Sequence, residues 1–534
     1  MENPKLITSG NEGRNKLFSG IEKLSNAVKS TLGPLGNTVI LESPNHTRGL
    51  TVTKDGVTVA KSISLLDPIE NLAVRMMKEA ADRTASQAGD GTTTAILITE
   101  AIIKYGMEEL SDFPDLNRTE FTRSIVEISE RVIKKLEGLS RKVNKSNLKD
   151  VATISSNNDK ELGEMIAHAY DTVGKNGVVT VEKSQTSKTY FEHTNGIKVK
   201  RGYSSNSFVN DHRKDECILE DVLVLATGQE INNLLSIERV LKTVIQQGKK
   251  LLIIGECSQN VINTLAANVV KNGLKFCNIQ PPNFGYKQKE MMNDIALSVG
   301  AKYFSEDTGD NLEMITMDDL GQVDKMISSK DETILIGSSK GSKSDIEARI
   351  LELYAQMDST PSETDKAFIL DRIAGLNGAI GVIYVGGESD IEQKERYDRV
   401  DDAVCAVRSA IEEGILPGGG SALMYVLPRL FDNIVDSQEW ISARSVISSA
   451  ISAPFERLVD HLDVDKYDEL YYYVTKEKNH GMNIKTGEIG DMFKMGVIDP
   501  LKVTKNALRN AVSVGTTILA TNAIVTIQRA DEEV

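Results

Sequence analysis

Aromatic residues are scarce in this 534-residue sequence, at 5% of positions with a single Trp. That argues against a binding surface built from aromatic side chains. Cysteine is scarce too. Cys217, Cys257, Cys277 and Cys405 are scattered, and they form no C-x-x-C or other metal-type spacing. So few thiols in so long a chain fit a reducing compartment better than a disulfide framework. The six histidines form neither H-x-x-x-H nor H-E-x-x-H, which removes the common zinc-hydrolase signature. No apolar run approaches the ~18 residues of a membrane span. The opening stretch MENPKLITSGNEGR has no apolar segment of the secretory type. Positive charge is in deficit, with 62 Lys and Arg against 77 Asp and Glu and a net charge of -15. Such a chain repels nucleic-acid phosphates and anionic lipid, so neither nucleic acid nor membrane is an expected partner, and a cytoplasmic setting is expected. No Walker A motif is present, so a P-loop enzyme is excluded.

The length suggests about three domains. Hydrophobic residues at 40% and charged residues at 26% describe a globular chain. Leu17, Ile21, Leu24 and Val28 repeat at helical spacing, and Gly33-Pro34 stops that helix. A strand is expected over Thr38 to Leu41, a long helix over Asp67 to Ala88, and another over Ala95 to Tyr105. The middle of the chain changes character. Val222-Leu223-Val224-Leu225 and Leu251-Leu252-Ile253-Ile254 are continuous apolar runs, each followed by a helical pattern. That alternation predicts an α/β region with buried strands. Ser338 to Ser342 and Ser359 to Ser362 read as surface loops. After Gly418-Gly419-Gly420 the pattern is mainly helical to the end. Helical segments thus bracket an α/β insert.

Gly89-Asp90-Gly91-Thr92-Thr93-Thr94 is the most informative stretch. Glycines let a ligand approach the backbone. Three hydroxyls and unspent N–H groups then stand at a helix start, a ready site for phosphate oxygens. Asp90 beside them suits Mg²⁺, which prefers carboxylate and phosphate oxygens. A capped helix after a Gly turn explains the same residues equally well. Thr31-Leu32-Gly33-Pro34 by itself is more simply a helix C-cap, and the three glycines at 418–420 more simply a hinge. Asp55 and Asp402 have the chemistry to activate water, yet each alone reads as a turn or surface carboxylate.

Six stretches stand in one order: Thr31 to Pro34 (TLGP), Thr51 to Ala60 (TVTKDGVTVA), Gly89 to Thr94 (GDGTTT), Arg399 to Asp402 (RVDD), Glu412 to Gly420 (EEGILPGGG) and Val497 to Thr504 (VIDPLKVT). In these the chain resembles the group I, GroEL-type chaperonins, along nearly its whole length. The resemblance implies a multi-domain α and α/β fold. It has a mainly helical equatorial ATPase domain (1–137 and 413–534), a small intermediate domain (138–195 and 379–412) and an α/β apical substrate-binding domain (196–378), with hinges near Gly196 and Gly378. It implies an ATP-dependent subunit that binds non-native protein clients and promotes their folding in a ring cavity, in homo-oligomeric rings of about seven subunits, with a GroES-type cochaperonin as a further partner.

The same resemblance implies residue roles. Thr31, Leu32, Gly33, Pro34, Lys54, Asp90, Gly91, Thr92, Thr93, Thr94, Gly419, Asn483, Ile484, Lys485 and Asp499 would hold ATP. Asp90 would bind Mg²⁺, and K⁺ would sit near the phosphates. Asp402 and Asp55 would be the catalytic carboxylates, Asp402 arriving on the intermediate domain, so that closure completes the site. Tyr203, Leu234, Ile237, Leu241, Ile262 and Leu265 would form the apolar client-binding groove of the apical domain.

Departures from the family pattern concentrate in that groove. Glu238 stands where an apolar residue is usual, Ala266 and Ala267 where larger ones are, and Ser207 replaces an aromatic. At about 25 cal/mol per Å² of apolar area, such changes weaken each contact, so a narrower client range is expected, and dependence on the lid is open. Ile484 and Lys485 replace two alanines. The surroundings of Glu456 and Arg457, near the usual ring–ring contact, also diverge, which leaves one ring or two open. An organelle or phage-encoded member would diverge in this way.

Two rivals remain. Gly337-Ser338-Ser339-Lys340-Gly341 fits the G-x-S-x-G esterase elbow after an apolar run, with only His461 and His480 downstream as bases. The other is a nucleotide-binding ring scaffold without turnover, against which the intact Asp55, Asp90 and Asp402 argue.

Overall fold

The computed structural model describes residues 5–42, 50–174, 177–212, 214–305, 309–338, 340–360, 362–430 and 437–527. The chain divides into two compact units. Residues 1–167, 181–189 and 385–534 form the first, and residues 168–180 and 190–384 the second.

The first unit is mainly helical. The periodic Leu17, Ile21, Leu24 and Val28 are all buried, on the helix Gly10–Val28. Asp67 caps the helix Pro68–Ala88 by accepting from the Ile69 and Glu70 N–H groups, so the chain turns into the helix where Asp-Pro predicts it. The next helix, Thr92–Asp112, is buried from Ala95 through Thr99 and again over Ala101 to Ile103. A helix apolar all round must be covered on all sides. The helices Leu501–Ala520, Gln438–Val459 and Pro68–Ala88 cover it. Each fully buried Ile of this helix contributes roughly 1.5–3 kcal/mol relative to exposure. The C-terminal part departs from the helical expectation. Strands His480–Asn483 and Glu488–Asp491 form an antiparallel hairpin, with Asn483 opposite Glu488. Gly487 at φ +69° takes the turn, a conformation that glycine reaches without the Cβ penalty.

The second unit is built on a mixed sheet. Its strand order runs Ala379–Val385, Tyr190–Val199, Thr333–Ile336, Gly321–Ser328, Cys217–Thr227, Lys250–Ile254, Phe276–Ile279. The last three are parallel and are connected through the helices Glu238–Gln246 and Gln259–Asn272. Both predicted apolar runs lie in these strands and are buried, as parallel strands covered on both faces require. The four pairings among the first five strands of that order are antiparallel, and the short strand Tyr303–Phe304 adds a parallel pairing to Cys217–Thr227. Gly196 and Gly378 lie side by side. A Cβ on Gly378 would stand 3.3 Å from the Gly196 carbonyl oxygen. Both stand just beyond the end of the ladder that runs from Ala379↔Asn195 to Tyr384↔Tyr190.

Candidate functional site

Three glycine-dependent approaches build a cavity of about 770 Å³ in the first unit. Gly89 ends the helix Pro68–Ala88 at φ +74°, and a Cβ there would lie 2.1 Å from the Cys405 Cβ. Only a residue without a side chain lets the helix Asp390–Glu413, which carries Asp402, come this close. Ser409 on that helix also donates to the Ala88 carbonyl. Gly91 at φ +86° is the N-cap of the helix Thr92–Asp112 and offers no side chain to its first turn. The opening N–H groups of that helix therefore have no intrahelical acceptor. At Gly56 a Cβ would come within 2.4 Å of Thr93 Oγ1, so the Asp55–Gly56 turn lies against the row of hydroxyls.

Every residue expected to hold nucleotide lines this one cavity: Thr31, Leu32, Gly33, Pro34, Lys54, Asp90, Gly91, Thr92, Thr93, Thr94, Gly419, Asn483, Ile484, Lys485 and Asp499, together with Asp55 and Asp402. Asp55 serves as a turn carboxylate at the cavity. It caps the helix Gly56–Ser62, accepting from the Val57 and Thr58 N–H groups and from Thr58 Oγ1 at 2.5–3.0 Å, and it also faces the cavity. Asp90 Oδ1 accepts from the Gly91 N–H at 2.5 Å. Thr31 Oγ1 donates to the Val28 carbonyl. Asn483 Oδ1 accepts from the Lys485 N–H, and this fixes the rim hairpin. Lys485 itself is exposed. Ile484 and Met482 join Leu458 in an apolar cluster that supplies part of the wall.

Among the described residues, the wall carries seven carboxylates, from Asp55, Asp90, Asp150, Glu395, Asp398, Asp402 and Asp499. Against them stand four cations, Lys54, Lys160, Arg399 and Lys485. The imbalance is visible in proton affinities. Burial, then the charges of Asp55, Asp90, Asp401 and Asp398, raise the Asp402 carboxyl well above the usual range. Burial, then Asp55, raise Asp90. Asp499 is pushed up to about 7 by burial and then by Asp90, although the Gly419 and Gly420 N–H groups donate to it. Carboxylates that raise one another's proton affinity form a site short of positive charge. Among the described residues no group of three or more His, Cys, Asp or Glu side chains could hold a metal ion. A divalent cation at Asp90 would therefore complete its shell with oxygens of a bound phosphate, the usual arrangement for Mg²⁺. The residues present fit such a cation and such a phosphate.

The sequence reading missed part of the wall: Asp150, Thr153, Ile154, Ser155, Asn157, Asn158, Lys160, Glu395, Asp398 and Arg399. One signal was available. Asn157-Asn158-Asp159 follows a helical run, and Asn and Asp are the residues that tolerate left-handed turns. Both asparagines have φ near +60°.

The second unit treats its expected groove residues differently. Ile237, Ile262 and Leu265 are 1%, 6% and 2% exposed, and Ile237 and Leu265 belong to the core cluster of the sheet. These three side chains are covered, whereas an open groove was the expectation. Leu234, Leu241 and Tyr203 are half-buried against the same core. The physical reason is the helix phase. Leu234–Ile237 is a 3₁₀ turn, and the α-helix begins only at Glu238. The turn points Ile237 inward and leaves Leu235 65% exposed. On the helix Gln259–Asn272, Val270 is 70% exposed. Glu238 pairs with Lys242 one turn on, and Ser207 is exposed. Ser339 of the esterase-like elbow lies outside the described residues.

A profile of the TCP-1/cpn60 chaperonin family matches residues 24–529. Among solved structures, the chaperonin gp146 of bacteriophage EL 2 (Pseudomonas aeruginosa), crystallised in the presence of ATP-BeFx, matches in two crystal forms. One has a TM-score of 0.68 at 23% identity and covers 98% of this chain and 100% of that chain. The other has a TM-score of 0.62 at 22% identity and covers 98% and 99%. At this identity the likeness is one of fold.

Proposed function

The chain belongs to the TCP-1/cpn60 chaperonin family, and from that premise we propose that it is an ATP-hydrolysing ring subunit that captures non-native proteins and releases them into a cavity to fold. Support comes above all from the convergence of the GDGTTT turn, Asp55, Asp402, Gly419, the Asn483 hairpin and Asp499 on one cavity of the first unit.

Each residue has a task in this reading. The first-turn N–H groups of the helix Thr92–Asp112 and the hydroxyls of Thr92, Thr93 and Thr94 hold phosphate oxygens. The apolar wall at Ile484 and the Asn483 hairpin take the adenosine. Asp90 ligates Mg²⁺, which when bound supplies the positive charge the carboxylates lack, and K⁺ adds to it. Asp402, whose proton affinity is raised by burial and its carboxylate neighbours, orients the attacking water and accepts its proton. Asp55 holds the turn against Thr93. The three-domain division, with residues 138–195 and 379–412 as the link, lets closure around ATP reach the apical surface.

Two measurements test the reading together. Phosphate release is followed for the wild type and Asp402→Ala, and the native particle is weighed and imaged with and without Mg²⁺ and ATP. The expected result is a ring of about seven subunits that changes shape with ATP, with turnover in the wild type alone. A ring that binds ATP with no turnover in either protein would install the scaffold instead. A stable monomer indifferent to ATP would sink both.

A further inference from the structure

Of the four cations on the cavity wall, Lys54, Lys160 and Lys485 are exposed, whereas Arg399 is partly buried. It stands one turn before Asp402 on the helix Asp390–Glu413. Residues three and four apart share a helix face, so Glu395, Asp398, Arg399 and Asp402 form one stripe, and all four line the cavity. Arg399 Nη2 donates to both oxygens of Glu395, to Oε1 at 2.5 Å. The pair is half-buried, with side-chain exposures of 26% and 32%. Its guanidinium is therefore held at the wall by a carboxylate on its own helix. An i,i+4 pair on one helix face is a weak hold that a stronger anion can displace. Phosphate oxygens can accept from a guanidinium through two of its nitrogens, where Glu395 is met through Nη2, and they carry more charge.

We infer that Arg399 is the cation that meets the outermost phosphate of bound ATP, exchanging Glu395 for phosphate oxygens, and that Glu395 is its holding partner in the absence of nucleotide. The inference rests on the ATPase reading above. No bond to Arg399 is made or broken. It contributes charge where the leaving and transferring oxygens gain it. A device on the Asp402 helix would report the third phosphate and present the base together.

The test compares ATP and ADP binding by calorimetry, and single-turnover hydrolysis, in the wild type, Arg399→Ala, Arg399→Lys and Glu395→Gln. Arg399→Ala is expected to lose at least about tenfold of the preference for ATP over ADP, and roughly a hundredfold of the hydrolysis rate. Arg399→Lys should recover binding better than rate, because lysine lacks the fork. Glu395→Gln, which frees the guanidinium, should bind ATP at least as tightly as the wild type. If Arg399→Ala keeps both quantities within about threefold of the wild type, the inference is wrong while the ATPase reading stands. Should Arg399→Ala not fold, an Arg399→Lys with unchanged rate, or a Glu395→Gln with weakened ATP binding, overturns it. A wild type that neither prefers ATP nor turns it over overturns both.

Discussion

The cavity in the first unit and the apolar surface of the second answer the same sequence reading in opposite ways. All the residues expected at the cavity line it. Of the six expected in the groove, three are in the core and three are half-buried. The cavity's needs are chemically particular: glycine at φ +74° and +86°, hydroxyls at a helix start, and carboxylates that repel one another. Few other folding problems require that set, so it marks the sequence. A client-binding surface requires only exposed leucine, isoleucine and valine, which are also what a core requires. One turn of 3₁₀ helix decides which of them faces out.

The comparison breaks most sharply at Asp402. If it is a functional carboxylate held at an energetic cost, Asp402→Ala should lower turnover by roughly a hundredfold or more. The fold itself should not suffer. Burial and four neighbouring carboxylates already disfavour the charge, so without nucleotide the thermal midpoint should stay level or rise. A midpoint several degrees lower would make Asp402 a structural residue and remove the contrast.

The next test lies in the second unit. Leu265→Ala should cost about 2–5 kcal/mol in denaturant unfolding, as a core truncation does. Leu235→Ser should change stability by less than about 0.5 kcal/mol and instead weaken capture of a chemically unfolded test protein. Equal destabilisation by the two would mean that the exposed and buried leucines are not distinct in solution. Unchanged capture in Leu235→Ser would move client binding away from this turn.

Legibility followed the same division within the fold. The helix Gly10–Val28 was readable because Leu17, Ile21, Leu24 and Val28 mark one face, and the long helix expected from Asp67 starts there under a cap from the Asp67 side chain. The parallel strands were readable as unbroken apolar runs. The hairpin His480–Asp491 was not, since it is short, rich in glycine and set between two helices. Asp402 alone read as a turn or surface carboxylate, and the stripe Glu395, Asp398, Arg399, Asp402 has the composition of a solvated helix face. Only the cavity against it makes it part of a site. The helix start at Glu238 was also hidden, because Leu234 to Leu241 is apolar enough to continue a helix in either direction.

A smaller effect concerns pH. Asp499 holds its proton up to about pH 7 in the fold, against an ordinary value of 3.8. A raised carboxyl stabilises the fold below its unfolded value, and that stability is lost as pH rises through the folded one. Without nucleotide or divalent cation, the thermal midpoint should therefore fall between about pH 4 and pH 7 and level off above. In Asp499→Asn the fall should be shallower, though not absent, because Asp90 and Asp402 are shifted in the same direction. Identical slopes for the two proteins would mean that Asp499 is solvated well enough to titrate normally.

The smallest effect should separate the two polar residues of the rim. Lys485 is exposed, and its backbone N–H donates to Asn483 Oδ1 at 3.0 Å. An exposed ammonium near a bound anion is screened by salt and contributes little. Lys485→Ala should therefore weaken ATP binding by less than about threefold, and the difference should vanish at high ionic strength. Asn483→Ala removes the acceptor that holds the turn, at a cost of about 1 kcal/mol, or roughly fivefold in affinity, independent of salt. If the lysine variant were the weaker binder, with a loss that salt abolishes, recognition at the rim would be by charge rather than by a fixed turn. The cavity would then share with the second unit's surface a tolerance for residues of the right general kind, and the contrast between the two would hold only for the phosphate end.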